Sequence, residues 1–297
     1  MGKELAANYA VARQTFQEAD DALGFALSRL CFEGPDDQLK MTENTQPAIL
    51  TVSTAVARVL QEKGVTPQFV AGHSLGEYSA HVAAATMKFA DAVRTVRNRG
   101  KYMQEAVPAG QGAMAAILAM PLEQLQQVCA DAAQGEVVSP ANINSPDQIV
   151  ISGNAKAVER AAELAKQRGA KRAVMLPVSA PFHCALMQPA QDRLANDLIA
   201  LPFSDSAIPV VANIDAEPKT AADAARNALI QQVTGAVRWS SCVQELITLG
   251  VKVFVEAGPG KVLTGLMRQI DRAQTAANVE DEASLQKTLG VLAGAPQ

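Results

Sequence analysis

The sequence predicts an α/β protein in which a smaller ferredoxin-like subdomain is inserted into a main domain built on a parallel sheet. Three observations carry this prediction. A strand, a tight turn and a helix follow one another around residues 68–85. Residues 111–178 show the order strand, helix, strand, strand, helix, strand, which is typical of a split βαβ unit. Strands and helices alternate again after residue 183, so we expect residues 1–110 and 179–297 to form the main domain and residues 111–178 the subdomain.

Apolar periodicity and turn residues predict the elements in chain order. Gly34-Pro35 and Gly64 interrupt the helical pattern, and Pro47 favours a helix start. Before the subdomain we expect a strand at 68–71 and helices at 3–30, 48–61, 75–85 and 90–107. In the subdomain we expect helices at 122–133 and 155–168 and strands at 113–119, 137–138, 149–151 and 172–178. Beyond it we expect strands at 210–212 and 251–256 and helices at 186–201, 221–233 and up to 270. Residues 272–297, rich in alanine and polar side chains, should be peripheral.

The composition excludes several classes of protein. The 297 residues are 48% hydrophobic and 19% charged, which allows a large core, and the net charge of −4 does not favour nucleic-acid binding. No apolar run approaches the ~20 residues that a membrane-spanning helix needs. The four cysteines are far apart, which favours neither a metal site nor a disulfide and fits a reducing compartment. We therefore expect a cytoplasmic protein without a metal site.

Gly72-His73-Ser74-Leu75-Gly76 is the most informative stretch of the chain. It is a Gly-x-Ser-x-Gly pentapeptide between a short apolar strand and a helix, which is the context of a nucleophile elbow. The glycines permit close approach of strand and helix. The free N–H groups and the positive dipole end of the helix suit an oxyanion. We therefore predict Ser74 as a nucleophile; the alternative is a serine that only caps the helix.

An activated serine needs a base within hydrogen-bond reach, and the chain has three histidines. His73 is adjacent to the serine, where successive side chains point apart, and His81 lies about 10 Å along the same helix at ~1.5 Å per residue. His183 remains, in a loop after an apolar strand, where active sites of α/β proteins gather. We predict His183 as the base. Its orienting partner is either a main-chain carbonyl or an acidic side chain, for which the candidates are Asp91, Asp131 and Asp147.

Arg99 occupies an unusual position on the predicted helix 90–107. At about 100° per residue, the apolar side chains of this helix form one stripe, and Arg94, Arg97 and Lys101 lie well away from it. Arg99 lies at the edge of the stripe. It is either a snorkelling edge residue or a guanidinium held in a cleft to bind a carboxylate with two hydrogen bonds. The second reading predicts an acyl substrate with a free carboxylate.

Four stretches together resemble the bacterial malonyl-CoA:acyl-carrier-protein transacylases, and the resemblance covers nearly the whole chain. They are the elbow Gly72-His73-Ser74-Leu75-Gly76-Glu77-Tyr78-Ser79-Ala80, Arg99-Gly100-Lys101-Tyr102-Met103-Gln104, Ala180-Pro181-Phe182-His183-Cys184, and Glu256-Ala257-Gly258-Pro259-Gly260-Lys261-Val262-Leu263. The resemblance implies an α/β-hydrolase-like domain with a ferredoxin-like insert. It also implies a transfer of malonyl from malonyl-CoA to the phosphopantetheine thiol of acyl carrier protein in fatty-acid biosynthesis.

The resemblance also implies roles for individual residues. Ser74 would be the acyl-accepting nucleophile, His183 the base, and Arg99 the ligand of the malonyl carboxylate. The Gln232 main-chain carbonyl would orient the histidine, and the Leu75 N–H would bind the oxyanion. The protein would act as a monomer without a cofactor, a nucleic acid or a membrane. Acidic acyl carrier protein would dock on a basic patch, for which we predict Lys171, Arg172, Lys261 and Arg268.

The chain departs from the family pattern at two places. The family opens with a strand and a Gly-Gln-Gly-Ser-Gln loop whose first glutamine gives a second oxyanion donor, and nothing similar precedes Met1. We therefore expect a truncated start and impaired activity or stability, because one oxyanion donor is worth ~10²–10³ in rate. Thr234-Gly235-Ala236 stands where many relatives have a Tyr-Asn-Pro-like turn.

Two other functions share part of this pattern. A serine hydrolase of the esterase type would use Ser74 and His183, but it needs an acidic third member and gives Arg99 no role. A catalytically inactive scaffold in an acyl-chain complex would explain the absent loop, but not the presence of all three side chains.

Overall fold

The structure, a computed structural model, describes residues 1–178 and 180–294 and consists of short strands among many helices. The strands are β1 (Val70–Ala71), β2 (Gly112–Leu118), β3 (Val138–Ser145), β4 (Gln148–Asn154), β5 (Arg172–Met175), β6 (Val210–Val211), β7 (Pro218–Lys219), β8 (Val253–Ala257) and β9 (Thr275–Val279). The first helices are α1 (Lys3–Asn8), α2 (Ala10–Leu23), α3 (Leu27–Glu33), α4 (Asp36–Lys40), α5 (Thr42–Glu62), α6 (Leu75–Ala83) and α7 (Phe89–Glu105). The later helices are α8 (Leu122–Ala133), α9 (Ala155–Gln167), α10 (Gln188–Ala200), α11 (Ala222–Gln231), α12 (Trp239–Thr248), α13 (Val262–Ile270) and α14 (Glu282–Ala293).

Parallel strand pairing occurs at two places in the main domain. Strand β1 pairs with β6, and β8 pairs with β9 over five residues of each strand. Strand β7 adds an antiparallel edge to β6. Parallel neighbours joined through helices are the pattern of an α/β protein, so the predicted fold class is confirmed.

The ferredoxin-like unit has the predicted order β2–α8–β3–β4–α9–β5. Its four strands form one antiparallel sheet in the spatial order β3–β4–β2–β5, and α8 and α9 pack with it around a separate apolar core. Strands β3 and β4 are longer than the five residues, 137–138 and 149–151, that the sequence predicts for them. The sheet lies within the predicted range 111–178. Residues 179 and 295–297, at the ends of the second predicted main-domain segment, lie outside the described residues.

Strand β3 attaches this subdomain to the main domain. The Ile143 N–H donates to Val237 O at 2.8 Å, and the Val237 N–H donates to Ala141 O at 2.8 Å. Ser145 Oγ donates to Gln269 Oε1 on α13 at 2.9 Å. The hairpin is therefore held against the segment before α12, close to the turn that follows β1.

The helical prediction for 3–30 is wrong in detail, since this range contains three helices. The chain leaves the helical region at Tyr9, with φ −120° and ψ 124°, before α2 begins. Gly24 ends α2 with φ 71°, and its N–H donates to Asp20 O at 2.9 Å. A glycine adopts this left-handed conformation without the cost that a Cβ imposes, so it ends the helix although the polarity pattern continues.

The expectation that residues 272–297 are peripheral is also wrong. Strand β9 and helix α14 occupy most of this range, and Val279 and Leu285 are fully buried in the main core. Asp281 and Ser284 form a capping box that starts α14. Helix α12 was not predicted, although Trp239, Val243 and Leu246 have helical spacing and are buried. No helix of the described part is long and apolar enough to cross a membrane.

His81 predicts an acid-sensitive stability. This side chain on α6 is fully buried, and neither ring nitrogen has a partner among the described residues. Burial lowers the pKa of His81 from 6.5 to about 4. Between these values the unfolded chain binds a proton that the folded protein does not bind, so stability falls as the pH falls. We expect His81→Leu to raise the free energy of unfolding by about 2 kcal/mol more at pH 5 than at pH 7.5.

Urea unfolding at the two pH values measures this difference. His81→Gln is the matched control, because the amide keeps a buried polar side chain but does not titrate. At pH 5, His81→Gln should gain the same additional free energy of unfolding as His81→Leu. At pH 7.5 its free energy of unfolding should rise little. An effect of His81→Leu that is equal at both pH values would contradict the prediction.

Candidate active site

The turn between β1 and α6 is as tight as the pentapeptide predicts. Ser74 has φ 52° and ψ −106°, a strained conformation for a residue with a side chain. A Cβ on Gly72 would lie 1.9 Å from the carbonyl carbon and oxygen of Gly76, so only glycine fits there. The turn therefore presents Ser74 at the start of α6, in the strand–turn–helix geometry of a nucleophile elbow.

The structure brings Ser74 and His183 together across 109 residues of sequence. Ser74 Oγ lies 2.7 Å from His183 Nε2, and His183 Nδ1 lies 2.9 Å from the main-chain oxygen of Gln232. A carbonyl oxygen only accepts, so Nδ1 carries the proton and Nε2 is left to accept from the serine hydroxyl. The loop after β5 supplies His183, and the C-terminal end of α11 supplies Gln232.

His183 is neutral in this environment. Burial and, second in size, the positive charge of Arg99 lower its pKa to about 3. Only 3% of the residue is exposed. The imidazole is thus an unprotonated acceptor at neutral pH, which is the state that a general base requires.

None of the three acidic candidates orients His183. Asp91 pairs with Arg94 on the surface of α7, and Asp131 pairs with Arg168. The main-chain oxygen of Asp147 accepts from Ala119 in a turn of the subdomain. The alternative left open by the sequence, a main-chain carbonyl, occupies the position.

Arg99 lies inside the protein beside the serine. It is 2% exposed, so the snorkelling alternative is wrong. Its guanidinium donates to Gln46 Oε1 at 2.7 Å, to Gln232 Oε1 at 3.0 Å and to Ser74 Oγ at 3.1 Å. No carboxylate of residues 1–178 or 180–294 pairs with it, and its Nε has no partner there. A buried cation that no carboxylate contacts is costly and favours the binding of an anion.

Gln232 has more contacts than the sequence predicts. The resemblance implied only its main-chain carbonyl. In the structure its side-chain oxygen accepts from Arg99, and its Nε2 donates to Ser74 O at 3.0 Å and to Glu77 Oε2 at 2.8 Å. This one residue therefore contacts the serine, the histidine and the arginine.

Glu77 and Asn213 belong to the same network and were not identified from the sequence. Asn213 Oδ1 accepts from the Ser74 N–H at 2.7 Å, and its Nδ2 donates to Gly72 O at 2.8 Å. The Asn213 N–H donates to Glu77 Oε2 at 2.9 Å. Burial raises the pKa of Glu77 to about 7, against the opposing hydrogen bonds from Asn213 and Gln232. A signal for Asn213 was present, because it directly follows the predicted strand 210–212.

Gln46 was also missed as a functional residue. The sequence reading placed Thr45-Gln46-Pro47 at a helix start, but α5 begins at Thr42, and Gln46 lies inside it with 7% exposure. No sequence signal set Gln46 apart, because the four residues before it in α5 are polar too.

The Leu75 N–H is the donor that the elbow leaves for a ligand. The Ser74 N–H donates to Asn213, and the Gly76 and Glu77 N–H groups donate to His73 O and Ser74 O. Leu75 is the first residue of α6, where N–H groups have no intrahelical partner. The structure thus places this donor next to the serine, at a helix N-terminus.

His73 joins the elbow to the subdomain. Its Nε2 lies 2.8 Å from Asn144 Oδ1 on β3, and its ring packs against Trp239. The four predicted basic residues are all exposed: Lys171, Arg172, Lys261 and Arg268. Across the described residues, no group of three or more His, Cys, Asp or Glu side chains could hold a metal ion.

Comparison with known proteins gives one consistent result. The family model for the acyl transferase domain matches residues 1–289. The chain is 49% identical over 287 residues to malonyl CoA-acyl carrier protein transacylase of Salmonella typhimurium, which covers 96% of this chain and 93% of the relative.

Solved structures agree with the sequence comparison. The crystal structure of an acyl carrier protein S-malonyltransferase from Vibrio cholerae matches with a TM-score of 0.95 and 50% identity, over 97% of this chain and 94% of that one. A malonyl-transacylase solved in complex with a type II PKS acyl-carrier protein matches with a TM-score of 0.95 and 48% identity, over 98% of this chain and 94% of that one. The resemblance drawn from the motifs is confirmed.

The two glycines of the elbow predict opposite effects of the same substitution. Gly72→Ala places a methyl group against the backbone of Gly76, and we expect it to lower the free energy of unfolding by about 3 kcal/mol or more. Gly76→Ala meets no atom within 4 Å outside its own helix. It should raise stability by up to about 1 kcal/mol, because alanine favours a helix over glycine.

Thermal and urea unfolding of the two variants measure this contrast. Each protein serves as the control of the other, since the change in composition is identical. Equal stability of Gly72→Ala and Gly76→Ala would contradict the close approach of strand and helix.

Proposed function

This chain belongs to the acyl transferase domain family, and we propose that it transfers malonyl from malonyl-CoA to the phosphopantetheine thiol of acyl carrier protein in fatty-acid biosynthesis. The observation that carries the proposal is a buried guanidinium, free of any paired carboxylate of the described chain, at hydrogen-bond distance from the serine hydroxyl. The reaction would proceed in two half-reactions through a malonyl ester of Ser74.

In the first half-reaction, Ser74 Oγ attacks the thioester carbonyl while His183 Nε2 takes the hydroxyl proton. The Oγ–Nε2 distance of 2.7 Å allows this transfer directly. The Gln232 carbonyl keeps the imidazole in the required tautomer and stabilises the imidazolium that forms. The tetrahedral intermediate then collapses, the C–S bond breaks, and His183 returns the proton to the coenzyme A thiolate.

The Leu75 N–H is the proposed oxyanion donor. It lies at the N-terminus of α6, where the helix dipole adds positive potential. Such a donor stabilises the negative charge that develops on the carbonyl oxygen and does not need to reorganise during the reaction.

Arg99 is the proposed ligand of the malonyl carboxylate. The substrate supplies a carboxylate in contact with the guanidinium, which no described residue does, and the guanidinium can bind it with two parallel hydrogen bonds. Acylation converts Ser74 Oγ into an ester oxygen, which accepts more weakly, so the Nη2 bond to Oγ is released for the carboxylate. The bound carboxylate also offsets the charge that lowers the pKa of His183, which makes the imidazole a stronger base when malonyl is present.

In the second half-reaction, the thiol of acyl carrier protein replaces coenzyme A and the same steps run in reverse. We propose that the acidic carrier docks on the exposed Lys171, Arg172, Lys261 and Arg268.

One chain supplies the serine, the histidine and the arginine of the site, which supports action as a monomer. His183 accepts and returns each proton, so the proposed reaction needs no cofactor. The four cysteines are buried and unpaired, which supports a cytoplasmic location.

The site geometry favours this function over the two alternatives. An esterase needs an acidic partner for its histidine, but a main-chain carbonyl holds that position. An inactive scaffold would not need a histidine and an arginine that both lie within hydrogen-bond distance of one serine hydroxyl.

Ser74→Ala tests the covalent intermediate. We expect the wild-type protein mixed with malonyl-CoA to gain the mass of one malonyl group, and Ser74→Ala to gain none, because the variant lacks the attacking oxygen. Intact-protein mass spectrometry measures the adduct, and release of free coenzyme A gives an independent measure. A malonyl adduct on Ser74→Ala would exclude this serine as the acceptor.

Arg99→Ala tests the choice of acyl group. We expect the ratio of kcat/KM for malonyl-CoA to that for acetyl-CoA to fall by about 10²-fold, because a buried charged hydrogen-bond partner of the carboxylate is lost. Arg94→Ala is the matched control on the same helix, since its side chain is 50% exposed and pairs with Asp91. An unchanged ratio in Arg99→Ala would remove Arg99 from carboxylate binding.

A further inference from the structure

Glu77 is a buried acid that the mechanism above does not use. It is fully buried on the first turn of α6, three residues after Ser74. Its Oε2 accepts two hydrogen bonds, from the Asn213 N–H at 2.9 Å and from Gln232 Nε2 at 2.8 Å. Its Oε1 has no partner among the described residues. Both side-chain hydrogen bonds of Glu77 therefore go to residues that contact the catalytic groups.

The first contact fixes the orientation of the Gln232 side chain. An amide can turn by 180° and exchange its oxygen and nitrogen. In the observed orientation the oxygen faces Arg99 at 3.0 Å and the nitrogen faces Glu77. In the reversed orientation the NH₂ group of Gln232 would face the Arg99 guanidinium. Both groups are donors, so neither would have an acceptor there. The carboxylate oxygen of Glu77 accepts only, so together with the Ser74 main-chain oxygen at 3.0 Å it selects the orientation that gives Arg99 a partner.

The second contact fixes the segment that holds the elbow. Asn213 uses both ends of its side chain on the elbow, with Oδ1 on the Ser74 N–H and Nδ2 on Gly72 O. Its own N–H is bound by Glu77. Glu77 thus closes a ring of hydrogen bonds that runs from α6 through Asn213 and back to the residue before α6.

We propose that Glu77 is a positioning residue, which acts through Gln232 on the choice of acyl group at Arg99 and through Asn213 on the alignment of Ser74. This inference rests on the proposed function for its first part, because it assigns Arg99 to the substrate carboxylate. Both parts need an acceptor at Oε2 and not a negative charge. A proton on the carboxyl would occupy the free Oε1, so Oε2 accepts from both donors in either protonation state.

This requirement distinguishes Glu77→Gln from Glu77→Ala. The glutamine can place its side-chain oxygen where Oε2 is and keep both hydrogen bonds. The alanine leaves the Asn213 N–H buried without an acceptor, and it leaves Gln232 Nε2 with the Ser74 main-chain oxygen as its one acceptor in place of two. We expect the malonyl-to-acetyl ratio of kcat/KM to fall at least about tenfold in Glu77→Ala and to stay within about threefold of wild type in Glu77→Gln.

His81→Ala is the matched control for a general loss of stability. His81 is fully buried on the same helix, one turn from Glu77, and has no hydrogen bond to the network. We expect His81→Ala to lower the melting temperature without changing the ratio. If Glu77→Ala does not fold, Glu77→Asp provides the test, because the shorter side chain keeps the charge but loses reach, and it should lower the ratio in the same way.

The double variant Glu77→Ala/Gln232→Ala tests the route of the effect. Gln232→Ala keeps the main-chain carbonyl that binds His183 but removes the amide between Glu77 and Arg99. We expect Glu77→Ala to change the ratio by less than about twofold in this background. An equal loss in both backgrounds, a ratio unchanged in Glu77→Ala, or a Glu77→Gln as impaired as Glu77→Ala would overturn the proposal.

The rate at which a fluorophosphonate labels Ser74 keeps the inference separate from the proposed function. Labelling reports the alignment of the serine and needs no malonyl group. It should slow at least about tenfold in Glu77→Ala and not in Glu77→Gln. If the wild-type protein shows no preference for malonyl, the proposed function is wrong, and the labelling rates alone then decide the role of Glu77: equal rates in all variants would overturn it.

Discussion

The hydrogen bond from Ser74 Oγ to His183 Nε2 joins two segments that are 109 residues apart in sequence. It forms only because the turn after β1 is tight enough to present the serine, and because the loop after β5 delivers the imidazole to the same place. Each of these conditions depends on close backbone packing. Gly72 lies against Gly76, and His183 itself has a positive φ of 59°. Ser74 and His183 both have a strained backbone conformation, which the hydrogen bonds around them stabilise.

A second constraint is the positive charge placed beside that hydrogen bond. Arg99 is buried among uncharged acceptors, two of which are glutamine side chains. Glutamine oxygens satisfy N–H groups but do not neutralise the guanidinium, so the site keeps a positive potential for an incoming carboxylate. Burial is the main reason that the pKa of His183 is low, and the Arg99 charge lowers this pKa as well. In the proposed reaction, substrate binding and base strength are thus coupled through one charge.

Much of the fold follows from local sequence pattern, and the predictions that are wrong have physical reasons. The order of the subdomain was predicted because its strands and helices have clear apolar periods. The predicted helix 3–30 is three helices in the structure, because a glycine in the left-handed conformation ends a helix whatever the polarity of the next residues. The sequence predicts a peripheral last part of the chain because alanine gives little periodic contrast, whereas in the structure β9 pairs with β8 over its whole length.

The sequence by itself determined the elbow, the histidine and the unusual arginine. These depend on short-range rules: glycine geometry, the scarcity of histidine, and helical spacing. Only the tertiary structure decided what surrounds them. Gln46, Gln232, Asn213 and Glu77 meet the site through hydrogen bonds that span 53 to 155 residues of sequence. An amide or a carboxyl has the same hydrogen-bonding groups wherever it stands in a chain, so its partner is fixed only when folding excludes water and leaves it one acceptor or donor.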